Sequence, residues 1–170
     1  MTQGGPGPSG RIPIVEPNEH AHMTAAVATT TQNAVFLYRF RVSQPLKLTK
    51  AAFCVGAANG NVDMGIYTSA DLVNFTRVAS AGSTAAAGTN TTQGLTFTAP
   101  YVVVPGVDYF LAFATDSATI TVAQAIAPLS APAEYTKRGL RKLAAWSSGL
   151  PASISTPVGV GLYLWLAAKE

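Results

Sequence analysis

Charge is what this chain has least of. Only 11% of its 170 residues are Asp, Glu, Lys or Arg, against about 25% in an ordinary soluble domain. A surface so poor in charge gives copies little mutual repulsion and suits a protein packed among protein partners better than one dispersed in solution. The balance that remains, 11 cationic against 8 anionic residues and a net charge of +3, is too weak to argue for nucleic acid.

Cysteine and histidine are nearly absent as well. The single Cys54 excludes an intrachain disulfide, and its setting, Ala51-Ala52-Phe53-Cys54-Val55, reads as a small buried hydrophobe. The histidines are His20 and His22 alone, both ahead of the first apolar strand, so Ser-His-Asp and Cys-His nucleophile systems have no base inside the domain. None of the local signatures of such enzymes appears. Asp63, Asp71, Asp108, Asp116 and Glu134 are scattered near strand ends and turns, where capping and solvation account for them. Gly4-Gly5-Pro6-Gly7 follows no strand and opens no helix, so it is not a phosphate loop. These absences argue against an enzyme and against a bound cofactor. The longest apolar stretch, Val158 to Ala168, is short of the ~20 residues that cross a bilayer as a helix. Residues 1–10 have neither the basic start nor the apolar centre of a secretory leader.

What the chain does have is alternation. Residues 34–42, 108–114 and 158–166 are apolar segments with strand periodicity, and two of the three are apolar on both faces. Such strands need more than one buried sheet face. From Asn33 onward the spacing of short apolar runs and turn residues predicts strands over 34–43, 46–55, 62–68, 75–80, 93–98, 108–115, 118–124 and 158–167. Turns fall at Ser43-Gln44-Pro45, at Ala57-Ala58-Asn59-Gly60-Asn61 and at Pro105-Gly106. The expected fold is all-β: a jelly-roll-like antiparallel β-sandwich of about eight strands spanning 34–170. Residues 1–33, which open on a Gly/Pro run, read as an extended N-terminal anchoring arm outside it. The stretch 125–156 reads as a long crossing connection, with a short helix over 136–145 as the alternative.

Few residues in this pattern carry chemistry. Lys137, Arg138, Arg141 and Lys142 hold four of the eleven cations in one short segment, which reads as a solvated loop or as a contact for an acidic protein neighbour or an anionic host glycan. Trp146, close behind it, reads as core cover or as a platform for a sugar ring. One aromatic beside a basic segment is not the interleaved platform that single-stranded nucleic acid requires. His20 and His22 are two apart on an extended segment and so share a side. They are solvated or interface residues, or weak candidates for a metal shared around a threefold axis. Trp165 and Tyr163 alternate with Leu162, Leu164 and Leu166, giving a second apolar face that needs a cover from the arm, another subunit or another layer of the domain.

Gly60-Asn61-Val62-Asp63-Met64-Gly65-Ile66-Tyr67, the run 75–84, Val104-Pro105-Gly106-Val107-Asp108-Tyr109 and Gly149-Leu150-Pro151-Ala152-Ser153 resemble the β-sandwich modules of tailed-phage virion proteins. In those modules an Asp-x-Gly-x-Tyr strand precedes a Ser/Gly loop and a Pro-Gly-x-x-Tyr strand. The resemblance spans roughly 34–167. It implies a non-enzymatic structural protein of a virion, a head decoration, fibre or minor tail component. Such a protein docks to other virion proteins through an anchoring segment, here the N-terminal arm, and assembles as a homo-oligomer, most often a trimer. Oligomerisation is then expected to bury either the Tyr163/Trp165 side or the Phe110-Ala112-Ala114 side. The alternative reading is a carbohydrate-binding or host receptor-binding module, and a secreted hydrolase accessory domain is a third. Neither membrane insertion nor nucleic-acid binding is expected.

Overall fold

The computed structural model describes residues 14–15, 23–125, 139–143, 145–146, 148–159 and 164–170. The described residues contain fourteen strands and no helix, arranged as two antiparallel sheets. In chain order these are β1 (Ile14–Val15), β2 (Met23–Thr29), β3 (Val35–Phe40), β4 (Leu46–Ala57), β5 (Asn61–Thr68), β6 (Asn74–Ser80) and β7 (Thr84–Ala85). They continue with β8 (Thr89–Val103), β9 (Tyr109–Thr115), β10 (Thr121–Ala125), β11 (Gly139–Lys142), β12 (Ser153–Ser155), β13 (Val158–Gly159) and β14 (Leu166–Lys169).

Sheet A is built around β4, the long strand that answers to the one expected over 46–55. One flank of β4 pairs with β8, and the other carries β14 opposite residues 50–53 and β10 opposite Val55 and Ala57. Beyond these, β1 pairs with β14 and β2 with β10. Sheet B runs β12-β6-β5-β9-β3-β11-β13, with β7 beside the start of β5. Seven expected strands thus appear as β3, β4, β5, β6, β8, β9 and β10, while the eighth is divided into β13 and β14. The sandwich begins earlier than Ala34: Met23–Thr29, within the segment read as an arm, forms a strand of sheet A. The basic segment also departs from expectation. Gly139–Lys142 is neither helix nor loop, because its backbone pairs with β3 on one side and β13 on the other.

Alternation puts one set of side chains between the sheets. Phe36, Tyr38 and Phe40 of β3 meet Leu48, Phe53 and Val55 of β4, Met64 and Ile66 of β5, and Tyr109, Leu111 and Phe113 of β9 in one buried cluster. Phe53 and Phe113 meet across the two sheets as a tilted ring pair with centroids 5.1 Å apart. The other face of β3 and β9 is just as apolar and just as buried. Val35, Leu37, Phe110, Ala112 and Ala114 join Tyr67, Phe75, Leu150 and Ile154 in a second cluster, with Leu140, Ala145 and Trp146 packed against it. Phe110, Ala112 and Ala114 are each 0% exposed. The expectation that a partner buries this side is therefore corrected: the chain's own segment 145–154 covers it.

That segment has little regular structure, so its backbone needs partners from sheet B. Tyr67 donates its hydroxyl to the carbonyl of Pro151, and Arg77 donates its guanidinium to the carbonyl of Leu150 and its amide to Ala152 O at 2.9 Å. The amide of Ala145 donates to Asn33 O at 2.8 Å. Burial pushes the Tyr67 phenol well above its ordinary pKa. Beneath Leu150 lies Gly65, where a Cβ would sit 2.4 Å from Ala79 O and 2.8 Å from Leu150 Cδ1. Gly65 is the floor on which the cover rests.

Leu150→Ala is expected to cost roughly 2–5 kcal/mol by opening a cavity over Gly65. For a chain of this size that lowers Tm by roughly 5–15 °C. Gly65→Ala is expected to lower it as well, although it adds apolar surface and strand propensity. Thermal unfolding followed by circular dichroism measures both, and an unchanged Tm for either would remove segment 145–154 as the cover of sheet B.

Candidate functional site

The structure takes the basic group apart. Arg141 lies opposite Phe36 and Lys142 opposite Val35, and those two face the inter-sheet core and the covered face respectively. Paired residues share a face and successive residues do not, so Arg141 and Lys142 project to opposite sides of sheet B. Arg141 turns toward the margin between the sheets, where Nη1 donates to Thr31 Oγ1 at 3.3 Å and Nε is buried without a hydrogen-bond partner. Lys142 turns outward and donates to Thr156 Oγ1 at 3.4 Å. Lys137, Arg138, His20 and His22 lie outside the described residues, as does Tyr163. Trp146 is half-buried against the second cluster, the core-cover reading of the sequence. Trp165 is half-buried, and its neighbours Leu164 and Leu166 point into the core, so it faces the outer side of sheet A.

The four aspartates of the described domain each hold a joint. Asp63 is 1% exposed in the middle of β5, a position the sequence had assigned to capping or solvation. Its carboxylate accepts from Ser80 Oγ at 2.9 Å and from the amide of Leu150 at 2.8 Å, and Ser80 Oγ in turn accepts from the amide of Gly82. Gly149, at φ +137° and with its would-be Cβ 3.0 Å from Asp63 Oδ2, brings the cover close enough for this contact. Asp71 does cap, as read. In the β5–β6 turn it accepts from the amides of Val73 and Asn74 at 2.9 and 2.8 Å and from Asn74 Nδ2 at 2.8 Å. Those backbone bonds hold its carboxyl far below the ordinary carboxylate range.

Asp108 receives the guanidinium groups of both Arg39 and Arg41, and Arg41 first among them holds its carboxyl low. Asp116 accepts the amide of Asn61 at 2.6 Å and its side-chain Nδ2 at 2.8 Å, locking β5 to the end of β9. Glu134 lies outside the described residues.

Between two of these joints runs an open groove of about 610 Å³, lined by Thr68, Ser69, Ala70, Asp71, Asn74, Thr76, Gly106, Val107 and Asp108. Its two carboxylates are already engaged, Asp71 by its own turn and Asp108 by two arginines. Thr68 and Thr76 add hydroxyls and Asn74 an amide. Such a lining can hydrogen-bond a ligand, but it presents no free base or nucleophile for chemistry. Among the described residues no cluster of His, Cys, Asp and Glu could hold a metal ion. No described helix is long and apolar enough to cross a membrane. Comparison with protein-family models, curated proteins and solved structures finds no match.

The groups picked from sequence and those that organise the structure thus overlap little. Asp63 reads as a cap or a solvated residue because nothing in Val62-Asp63-Met64 shows that a distant Leu150 amide will reach it. The only sequence signal was Gly149, a residue without a side chain ahead of Leu150-Pro151.

Two outcomes follow from this geometry. A carboxyl whose folded pKa is depressed adds stability that is present above its unfolded value, about 3.9, and is lost as pH falls through the folded one. The Tm difference between the wild type and Asp71→Ala is therefore expected to be constant at neutral pH and to narrow below about pH 4; a difference independent of pH down to acid would show that the turn does not favour the charged form. Arg141→Met is expected to leave Tm unchanged or raise it, because it removes a buried nitrogen with no partner while keeping the aliphatic stem. Lys142→Gln should change stability by no more than the ~0–1 kcal/mol typical of surface charges, a small shift in Tm. Thermal melts of the two variants check this, and a marked loss in Arg141→Met would show that the Thr31 contact outweighs the unpaired Nε.

Proposed function

We propose that this chain is a non-enzymatic structural module of a tailed-phage virion, a head-decoration, fibre or minor tail component, docked through its N-terminal segment and associating with copies of itself. The observation that carries the reading is the use to which the aspartates are put: Asp63, Asp71, Asp108 and Asp116 all hold strands, turns or the cover in place. Polar chemistry in the described domain serves rigidity, as a building element in an assembly demands. Support comes also from the resemblance of the Asp63-Met64-Gly65-Ile66-Tyr67 and Pro105-Gly106-Val107-Asp108-Tyr109 segments to virion β-sandwich modules, and from the scarcity of charge. Docking through the N-terminal segment fits its attachment: residues 1–13 join the fold at β1, on the side of sheet A away from β8.

Removal of residues 1–13 leaves β1 and β2 intact and is expected to leave Tm unchanged, since no described strand is lost. The same deletion is expected to abolish incorporation of the protein into the particle produced by the parent phage, scored by immunoblot of purified virions. Normal incorporation of the shortened chain would overturn docking through this segment, and absence of the full-length protein from virions would overturn the virion reading itself.

A further inference from the structure

Sheet edges are where a β protein meets other chains, because half of the edge strand's backbone groups have no partner within the sheet. Sheet B ends in the short strands β12 and β13, of three and two residues. Brevity of this kind is a standard protection against edge pairing. Sheet A is different. On the flank away from β4, the fifteen-residue β8 has no strand beside it among the described residues.

Within β8 the exposed length is well defined. Asn90 has φ +52°, which interrupts the extended backbone on one side although Thr89 still pairs with Ala57 in the same register, and the register shifts after Thr96 on the other. Between them Thr91, Thr92, Gln93, Gly94, Leu95 and Thr96 pair without interruption with Val55, Cys54, Phe53, Ala52, Ala51 and Lys50. Beyond the shift the edge is guarded: Pro100 lacks an amide hydrogen, and Thr98 Oγ1 is tied to Ser80 O at 3.0 Å. On the inner side Gln93 is fastened through its side chain to Ala85 O and the amide of Ala87, both at 2.9 Å. Among the described residues the backbone of 91–96 has no hydrogen bond other than those to β4. No Lys, Arg, Asp or Glu occurs anywhere in Thr89–Val103, so the usual charged guard is missing too.

We propose that the free edge of β8 over Thr91–Thr96 is a docking surface for a second copy of this chain, the two strands pairing antiparallel about a two-fold axis so that two copies of sheet A become one continuous sheet. This gives a surface to the self-association in the virion reading and rests on that part of it. Several features favour a second copy over an unrelated peptide. On the outward side, antiparallel self-pairing centred on Gly94 sets Thr92 against Thr96 and Gly94 against Gly94, and cross-strand Thr pairs are favourable while no like charges meet. A two-fold contact of identical edges also closes on itself and stops at two. A foreign strand would need side-chain pockets for specificity, and the outward residues Thr92, Gly94 and Thr96 are small, uncharged and exposed.

The test uses the full chain and sedimentation velocity over a wide concentration range. Wild type is expected to show a monomer–dimer equilibrium. Amide hydrogen exchange of residues 91–96 is expected to slow as the dimer forms, while that of β12 does not. Thr92→Lys/Gly94→Lys puts charges on the paired edge, and a Cβ at Gly94 meets nothing closer than Ala51 O at 4.0 Å. The variant is therefore expected to fold with an unchanged Tm and to dimerise at least ~tenfold more weakly. Thr92→Lys alone serves if the double variant does not fold. A wild type that stays monomeric to millimolar concentration, a trimer, a dimer equally tight in the variant, or exchange at 91–96 that ignores concentration would each overturn the proposal. The chain lacking residues 1–13 separates the two readings, since it is expected to dimerise normally while failing to enter virions.

Discussion

The structure depends on the need to bury both faces of β3 and β9. A sheet with one apolar face can leave the other in water, but Val35, Leu37, Phe110, Ala112 and Ala114 are as apolar as the side chains between the sheets. A third layer is therefore obligatory, and the chain supplies it with segment 145–154, which has almost no regular structure of its own. An irregular cover cannot satisfy its backbone internally. The satisfying groups have to rise from the sheet beneath, which explains polar atoms in an otherwise apolar face: Tyr67 and Arg77 reach up to the cover's carbonyls and Asp63 to its amide. The bare backbone of Gly65 follows from the same demand, since Leu150 occupies the space where a side chain would stand.

Scarce charge then acquires a consistent meaning. Each aspartate of the described domain fixes a place where the chain leaves a strand or where layers meet: Asp71 the β5–β6 turn, Asp108 the neighbouring ends of β3 and β9, Asp116 the start of β5, Asp63 the cover. Hydrogen-bonded carboxylates at such joints fix a geometry more sharply than apolar contacts do. Placing the anions there leaves few for the surface. Sheet A shows the consequence in β8, whose exposed positions between 89 and 98 are threonine, asparagine or glycine.

The parts of the fold legible in the sequence are those whose burial is encoded locally. Val35–Phe40 and Tyr109–Thr115 announce themselves as strands by their apolar run, and the demand for a second buried face could be read from the same residues. β11 could not be read, because Gly139-Leu140-Arg141-Lys142 has no strand pattern and becomes a strand only by pairing with β3. For the same reason its cations looked like one patch; strand alternation separates Arg141 from Lys142, and nothing local foretells it. Met23–Thr29 was assigned to the arm because it holds no bulky β-branched or aromatic pattern, and its strand character comes from the edge of β10. Trp146, which reads as cover or as a sugar platform, packs against the second cluster, whereas Asp63 reads as a cap or solvated residue because its partners lie 17 and 87 residues away.

The hydroxyl-rich outer side of β8 is the counterpart of the apolar outer side of β3 and β9. Both sheets have a face turned away from the shared core, and the chain treats the two in opposite ways. On sheet B the outer face is closed by covalently attached chain, which costs conformational entropy but seals the domain permanently. On sheet A the β8 side is kept soluble by threonine, whose hydroxyl is hydrated and whose β-branch favours the extended backbone. Threonine achieves this without long-range repulsion, which lysine or glutamate would impose on any approaching copy. A domain that needed only to stay dissolved would gain from charge on that edge; one that must stay folded alone and still lie against a neighbour gains from hydroxyls.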